Sequence, residues 1–483
     1  MLKFSRLREK RIFSIILSSF IALCFSLVST SLVSSKFGFG EETDQLFYFI
    51  VCSVMIPSVI GSTLTAVIGK NIRSVYIVLK KQTYYKLKVT TFFFINGMLT
   101  ILFYLVMTFF MENTLQIFVL EMLTYSTFQL AVLIFQALNF SMFRYSGAIL
   151  SNCLPPLMGV ISVEIFQTIY SVILGYIVGL ILQVLYLWAS CIKKFRLNYY
   201  DVKVEHEETR LKLSFPITLN IVQNLLMTGF SFFGRSALSW NQRDALSVYT
   251  VAEKIPLNLH NLTSNSVGLE ILYAVKETQN REISILKSRF DLVTYITSLL
   301  FIIIFFFGFQ FFKVLFEHGK INSEDIGMVF EVVLLLMLAN IITGFSIVLS
   351  NYLYASNRST IVSGIGILQF SLMLAALLIY PIFRTPVGLV YLQIVSSWTG
   401  ALVKVFWSTR FLENAIDSII KTYFAKSIYV SLISSNMIIN VESYSNFQQA
   451  LFAIAMVLGI LFRSEIHKKL VSRLDLYKGS KTI

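Results

Sequence analysis

Runs of about twenty mostly apolar residues recur along this chain, each long enough to carry an α-helix across the hydrocarbon core of a bilayer. They lie near 12–34, 46–68, 90–111, 115–138, 146–165, 168–190, 213–233, 245–275, 290–312, 326–353, 361–381, 386–408, 421–439 and 447–462. A chain built this way is expected to be an all-α polytopic membrane protein with about fourteen spans. Composition agrees. Only 14% of the 483 residues are charged, against about 25% in a soluble protein. That is too few to cover a surface facing water, so the solvent is lipid.

The charges also set an orientation. With the N-terminus in the cytoplasm and the spans alternating, 32 of the 40 Lys and Arg fall in cytoplasmic segments. The opposite side receives Lys36, Arg235, Arg243, Lys313, Lys320 and Arg384, while Lys254 and Lys404 fall inside spans. This excess of cytoplasmic cations predicts that both termini are cytoplasmic. It also accounts for the net charge of +14 without nucleic acid. Lys3, Arg6, Arg8, Lys10 and Arg11 precede a first run too long for a signal-peptide core, so that run is read as a retained helix. Cys24, Cys52, Cys153 and Cys191 form no CxxC pair and are read as small packing residues.

The longest polar connection within the array is 191–212, a mixed-charge stretch after the sixth span. It divides the chain into an N-terminal six-helix bundle (1–190), a cytoplasmic linker (191–212), a C-terminal six-helix bundle (213–411), and two further helices with a basic tail (412–483). The linker's charges read as a solvated face.

No P-loop, HExxH or nucleophile elbow is present, and the four histidines are scattered. No enzyme activity, metal or cofactor is expected. The informative residues are charges within spans, which need a wet cavity or a partner. They are Glu121, Glu164, Glu253, Lys254, Glu270, Glu331 and Lys404. Glu121, Glu331 and Lys404 stand near span ends, where a side chain can reach the interface.

The eighth span, SVYTVAEKIPLNLHNLTSNSVGLEIL, differs from the others. Lys254, Asn258, Asn261 and Asn265 follow one another at i, i+4, i+7 and i+11, which places them on one helical stripe. Such a face is expected to line water or a polar partner, with Lys254 offering a cation to an anionic group or to a buried carboxylate. Glu253 is adjacent in sequence, and adjacent side chains diverge on a helix, so it need not neutralise Lys254. Pro256 removes a backbone donor and invites a bend.

Several stretches resemble the MurJ/MviN-type lipid II flippase branch of the multidrug/oligosaccharidyl-lipid/polysaccharide (MOP) superfamily. They are FGFGEETDQLFYFI (37–50), with Asp44; GYIVGLILQ, with Gly175, Gly179 and Gln183; VLFEHGKINSEDIGM (314–328); NYLYASNRST (351–360); and VGLVYL (387–392). AEKI (252–255) matches the family's ADRL and places Lys254 where the family has a cavity arginine. The resemblance implies two pseudo-related helical bundles in a V around a cationic cavity that opens alternately to each membrane face. It implies transport of a polyprenyl-pyrophosphate-linked saccharide; with the stripe read above, Lys254, Asn258, Asn261 and Asn265 are then expected to contact the headgroup, Glu253 beside them, and Asp44 to stand at the external mouth or cap the second helix. Ion or membrane-potential coupling is left open.

The family's arginines in the first two helices have no counterpart here. SLVSTSLVSSKFG offers only Lys36, and IPSVIGSTLTAVIG (56–69) offers Ser58, Ser62, Thr63 and Thr65. That opens the expected substrate to lipid II or to another lipid-linked unit, such as a capsule or O-antigen repeat. Two other readings stand beside it. One is a multidrug or cation antiporter using Glu164 or Glu270. The other is a non-transporting envelope scaffold acting through 191–212.

Overall fold

The structure, a computed structural model, describes residues 2–70, 93–102, 119–141, 145–197, 215–241, 244–260, 263, 267, 271, 282–317, 320–356, 358–408 and 414–439. Its helices are α1 (Leu2–Phe37), α2 (Glu41–Lys70), α3 (Phe93–Leu102), α4 (Val119–Ser141), α5 (Tyr145–Leu150), α6 (Leu154–Phe166), α7 (Ile169–Leu197), α8 (Phe215–Asn241), α9 (Ala245–His260), α10 (Glu282–Phe316), α11 (Ser323–Ala355), α12 (Ser359–Ile379), α13 (Pro386–Ser408) and α14 (Asn414–Ile439). Short 3₁₀ turns at Ser151–Cys153 and Pro381–Arg384 join α5 to α6 and α12 to α13. Eight helices among the described residues are long and apolar enough to cross a membrane. The all-α, multi-pass architecture read from the sequence is thus present. The expected span at 447–462 lies outside the described residues.

The chain forms two compact units, Met1–Thr250 with His318–Ile321, and Val251–Glu317 with Asn322–Ile483. In the first unit α7 packs along α4 and α6, and α2 packs along α4 and α8. The two faces of α7 show why. Gly175 and Gly179 face α6 so closely that a Cβ on Gly175 would strike Ser162 and the Met158 carbonyl. One on Gly179 would strike Pro155 and the Leu154 carbonyl. Gln183, one turn on, is buried and donates to Ser151 Oγ at 3.1 Å and Asn152 Oδ1 at 2.7 Å. On the other side Leu174, Val178, Leu182 and Leu185 are exposed, as a lipid-facing stripe should be. Lipid tails are as apolar as leucine, so helices associate here through close packing and interhelical hydrogen bonds rather than water exclusion.

Turns in the first unit follow from local chemistry. Gly38 ends α1 at φ +79° and donates its N–H to the Ser34 carbonyl at 2.7 Å. Only glycine adopts that φ readily. A Cβ there would also press on Lys320 Cβ at 3.1 Å. Lys320 in turn donates its backbone N–H to the Ser35 carbonyl at 3.0 Å.

The second unit is organised around α11, which packs on α10, α13 and α14. Val332 to Ala339 are all buried, as are Ile341, Ile342, Phe345, Val348 and Leu349. Phe290 of α10 stacks at 5.1 Å on Phe345 and at 5.2 Å on Tyr423 of α14. The N-terminus of α11 carries a capping box between Asn322 and Asp325, which satisfies otherwise orphaned N–H groups. By contrast α12 turns Leu368, Leu372, Leu378 and Ile379 outward.

Candidate functional site

Of the eighth-span stripe, Lys254 and Asn258 are described and are half-buried, as is Glu253. Asn261, Asn265 and Glu270 lie outside the described residues. The Asn258 amide donates to the Lys254 carbonyl at 2.6 Å, one turn back on α9. Pro256, between them, contributes no N–H to the helical ladder. Its carbonyl is instead held by Asn340 of α11, whose Nδ2 donates at 2.7 Å. The residue that interrupts α9 is therefore tied to the central helix of its own unit, two residues from Lys254.

Asn340 begins a polar stripe on α11 that sequence reasoning passed over. Asn340, Thr343, Ser346 and Ser350 occupy positions i, i+3, i+6 and i+10, directly after the run VVLLLMLA. Thr343 Oγ1 lies 3.1 Å from Ser397 Oγ on α13. Lys404 Nζ, also on α13, donates to Ser346 Oγ at 2.7 Å. Between these contacts α13 comes close to α12, and a Cβ on Gly400 would strike Gln369. The result is a polar seam inside the second unit, running from Pro256 on α9 along α11 to Lys404. The spacing of Asn, Thr and Ser in an apolar helix was the signal available. It was overlooked because hydroxyls in membrane helices often satisfy themselves on a carbonyl one turn back. Thr343 and Ser350 do so here, on Ala339 at 2.8 Å and on Ser346 at 2.8 Å.

Two further charges within spans have partners that tie helices together. Lys36 Nζ lies 3.1 Å from Glu164 Oε1 and donates to the Val163 carbonyl at 3.2 Å. Glu121 accepts from the Tyr170 hydroxyl at 2.7 Å. Glu331 is exposed. A second ion pair went unread in the sequence. Asp291 of α10, 1% exposed, meets Lys426 of α14 at 3.2 Å, and the same ammonium stands 4.3 Å over the Tyr423 ring. Its position among the aromatic stacks of α10, α11 and α14 marks it as a clamp between helices.

Asp44 belongs to the first unit and is buried. One carboxylate oxygen accepts from the Ser247 backbone N–H at 2.8 Å and from the Ser247 hydroxyl. Ser247 stands in the first turn of α9, so Asp44 serves as an end-cap for α9 rather than for its own helix. At a bilayer centre a lysine costs about 2.5–3.5 kcal/mol on insertion scales. Lys404, inside α13, meets the Ser346 hydroxyl and no carboxylate among the described residues.

No protein-family profile matches the chain, and no curated protein matches it in sequence. Its fold matches solved structures over nearly its full length. A lipid II flippase MurJ in an inward closed conformation superposes at a TM-score of 0.69 with 15% identity, covering 95% of this chain and 99% of that one. A MATE protein in complex with MaL6 superposes at 0.54 with 12% identity, covering 86% and 97%. A MOP superfamily transporter from Pyrococcus furiosus, described for the reverse polarity of its binding pocket, superposes at 0.52 with 13% identity, covering 90% and 97%. The resemblance carried by residues 37–50, 175–183, 314–328, 351–360 and 387–392 thus agrees with an independent likeness of the whole chain, and the protein has the multi-pass helical fold shared by MurJ and the MATE transporters of the MOP superfamily.

Proposed function

We propose that this chain is a flippase that moves a polyprenyl-pyrophosphate-linked saccharide from the cytoplasmic to the outer leaflet of a bacterial inner membrane. The observation that carries the reading is the end-to-end superposition on a lipid II flippase at a TM-score of 0.69, against 0.54 for the MATE structure. Lys254, Asn258, Asn261 and Asn265 are the proposed headgroup contacts, on their i, i+4, i+7 and i+11 spacing in the sequence, with Glu253 adjacent to Lys254. The polyprenyl tail stays in lipid while the polar headgroup crosses by alternating access. Differential binding of the loaded headgroup to the two access states sets the direction.

The N- and C-termini are proposed to be cytoplasmic, from the cation bias of the connecting segments. The division into bundles at 191–212 is kept as part of the same reading. A cation antiporter using Glu164 is disfavoured by the Lys36 ammonium that already occupies that carboxylate.

The test is rescue of a bacterium depleted of its own lipid II flippase, scored by exposure of lipid II on the outer leaflet. Rescue identifies the peptidoglycan precursor as substrate. Failure by a well-inserted protein removes lipid II and leaves another lipid-linked glycan, to be scored by capsule or O-antigen export. Failure in every glycan assay, with drug export present, overturns the flippase reading in favour of the antiporter.

A further inference from the structure

Lys404 is used by nothing described so far, and its surroundings differ from those of the paired lysines. Lys36 and Lys426 each meet a carboxylate. Lys404, half-buried in α13, meets Ser346 Oγ at 2.7 Å, and no carboxylate among the described residues lies within ion-pair distance. An ammonium carries three donors, and one serine oxygen satisfies one of them.

Its direction matters as much as its company. Thr343 pairs with Ser397, so Ser346, three residues further along α11, stands level with residue 400 of α13. Lys404 therefore reaches back about one turn to meet it, away from the nearby helix end at Ser408. A lysine that snorkels to the interface reaches the other way. The ammonium points inward along the seam towards Asn340, about 9 Å away by helical rise. Asn340 is the residue that holds Pro256 beside Lys254.

We propose that Lys404, with the hydroxyls of Ser346 and Ser397, forms a second anion-binding position that takes an oxyanion of the transported headgroup. The inference rests on the flippase reading and deepens it. The substrate presents an anionic oxygen at this end of the seam as well as at Lys254. A cation with unfilled donors beside hydroxyls suits a phosphate oxygen or a sugar carboxylate, and both are present in lipid-linked acidic glycans. The Ser346 hydroxyl accepts from Lys404, which leaves its own proton to donate to the same oxyanion.

The test uses the full chain in lipid nanodiscs with two probes, farnesyl pyrophosphate and glucuronate, and measures affinity for each together with the Tm. Lys404→Met is expected to fold with a Tm no lower than wild type, since an apolar isostere removes a buried charge. It should bind one of the probes about tenfold more weakly or worse, the loss expected for a charged hydrogen bond. Lys404→Arg should retain most of the affinity, and Ser346→Ala should lose part of it. Loss confined to farnesyl pyrophosphate identifies a phosphate oxygen as the ligand, and loss confined to glucuronate identifies a sugar carboxylate. If Lys404→Met binds both probes as wild type does while Lys254→Met does not, the second position is overturned and the flippase reading survives. A lowered Tm with unchanged affinities also overturns it, in favour of a purely structural lysine. A wild-type chain that binds neither probe overturns the site and the reading beneath it.

Discussion

Asp44 on α2 caps the first turn of α9 across 203 residues of sequence, accepting both the backbone N–H and the hydroxyl of Ser247. The first N–H groups of a helix have no partner within it, and a carboxylate there also meets the positive end of the helix dipole. At the start of α2 the Thr43 hydroxyl donates to the Gly38 carbonyl at 2.6 Å, which ties the helix to the turn that ends α1. Asp44→Ala removes a charged acceptor from a buried N–H and is expected to cost about 1.5–3 kcal/mol. Ser247→Ala keeps the backbone donor and should cost less. Thermal unfolding of the two single variants and the double variant measures the coupling. Strict additivity would show that the two residues do not act together.

The stretches that carried the family resemblance are, in the structure, mostly turns and helix contacts. Gly38 supplies a left-handed φ, and Asn322 with Asp325 a capping box. The Gly388 N–H meets Thr385 Oγ1 at 3.1 Å at the start of α13. Local rules of this kind are legible in sequence because a residue and its partner stand within a few positions of each other. They spoke to the fold and little to the substrate.

Gly179 gives a sharp test of that packing. A methyl group at this position would meet Pro155 Cα and the Leu154 carbonyl, both of them backbone. Backbone cannot swing aside as a side chain can, so α6 and α7 must separate. Overpacking of this kind costs about 1–3 kcal/mol for a small addition, and more where nothing yields. Gly179→Val should lower the Tm and the yield of monodisperse protein well beyond Leu182→Val on the lipid-facing side of the same helix. Equal behaviour of the two variants would mean that α6 and α7 are not in this contact.

The Asp291–Lys426 pair is a different kind of stabiliser. Removing one partner leaves a charge buried among Phe290, Phe345 and Tyr423. Asp291→Asn is therefore expected to destabilise by about 3–5 kcal/mol. Removing both charges together, as Asp291→Leu with Lys426→Met, should recover most of that loss, because well-packed apolar groups substitute for a buried pair at little cost. A double variant as unstable as the worse single one would assign the pair a further role in the second unit. The pair was not legible beforehand because Asp291 and Lys426 are 135 positions apart. Each reads alone as a charge near the end of a span.

Glu164 separates the transport readings. Its side chain is 55% exposed in its pair with Lys36. An exposed ion pair contributes about 0–1 kcal/mol. Glu164→Gln should leave the Tm nearly unchanged and leave glycan transport intact. Abolished transport with an unchanged Tm would return Glu164 to the role of a coupling carboxylate and revive the antiporter reading.

The expectation for the eighth span was legible because a lysine and three asparagines at helical spacing in the sequence conflict with a lipid-facing helix; of these, Lys254 and Asn258 stand on α9. Its partner stripe on α11 was not, because Asn340, Thr343 and Ser346 gain meaning only when α9 and α13 lie against them. This arrangement fixes what Lys254 variants should do. Asn340 holds Pro256 through a carbonyl, so truncating the Lys254 side chain leaves that tie in place. Lys254→Ala should therefore keep its unfolding free energy within about 1 kcal/mol of wild type, as for a residue outside the packing core. It should lose most flipping activity in a reconstituted lipid-linked saccharide assay. Lys254→Arg keeps the charge and adds a planar fork suited to phosphate, and should recover activity. Asn340→Ala frees the Pro256 carbonyl and should lower both Tm and activity. Equal activity in wild type, Lys254→Ala and Lys254→Arg would remove Lys254 from the headgroup site.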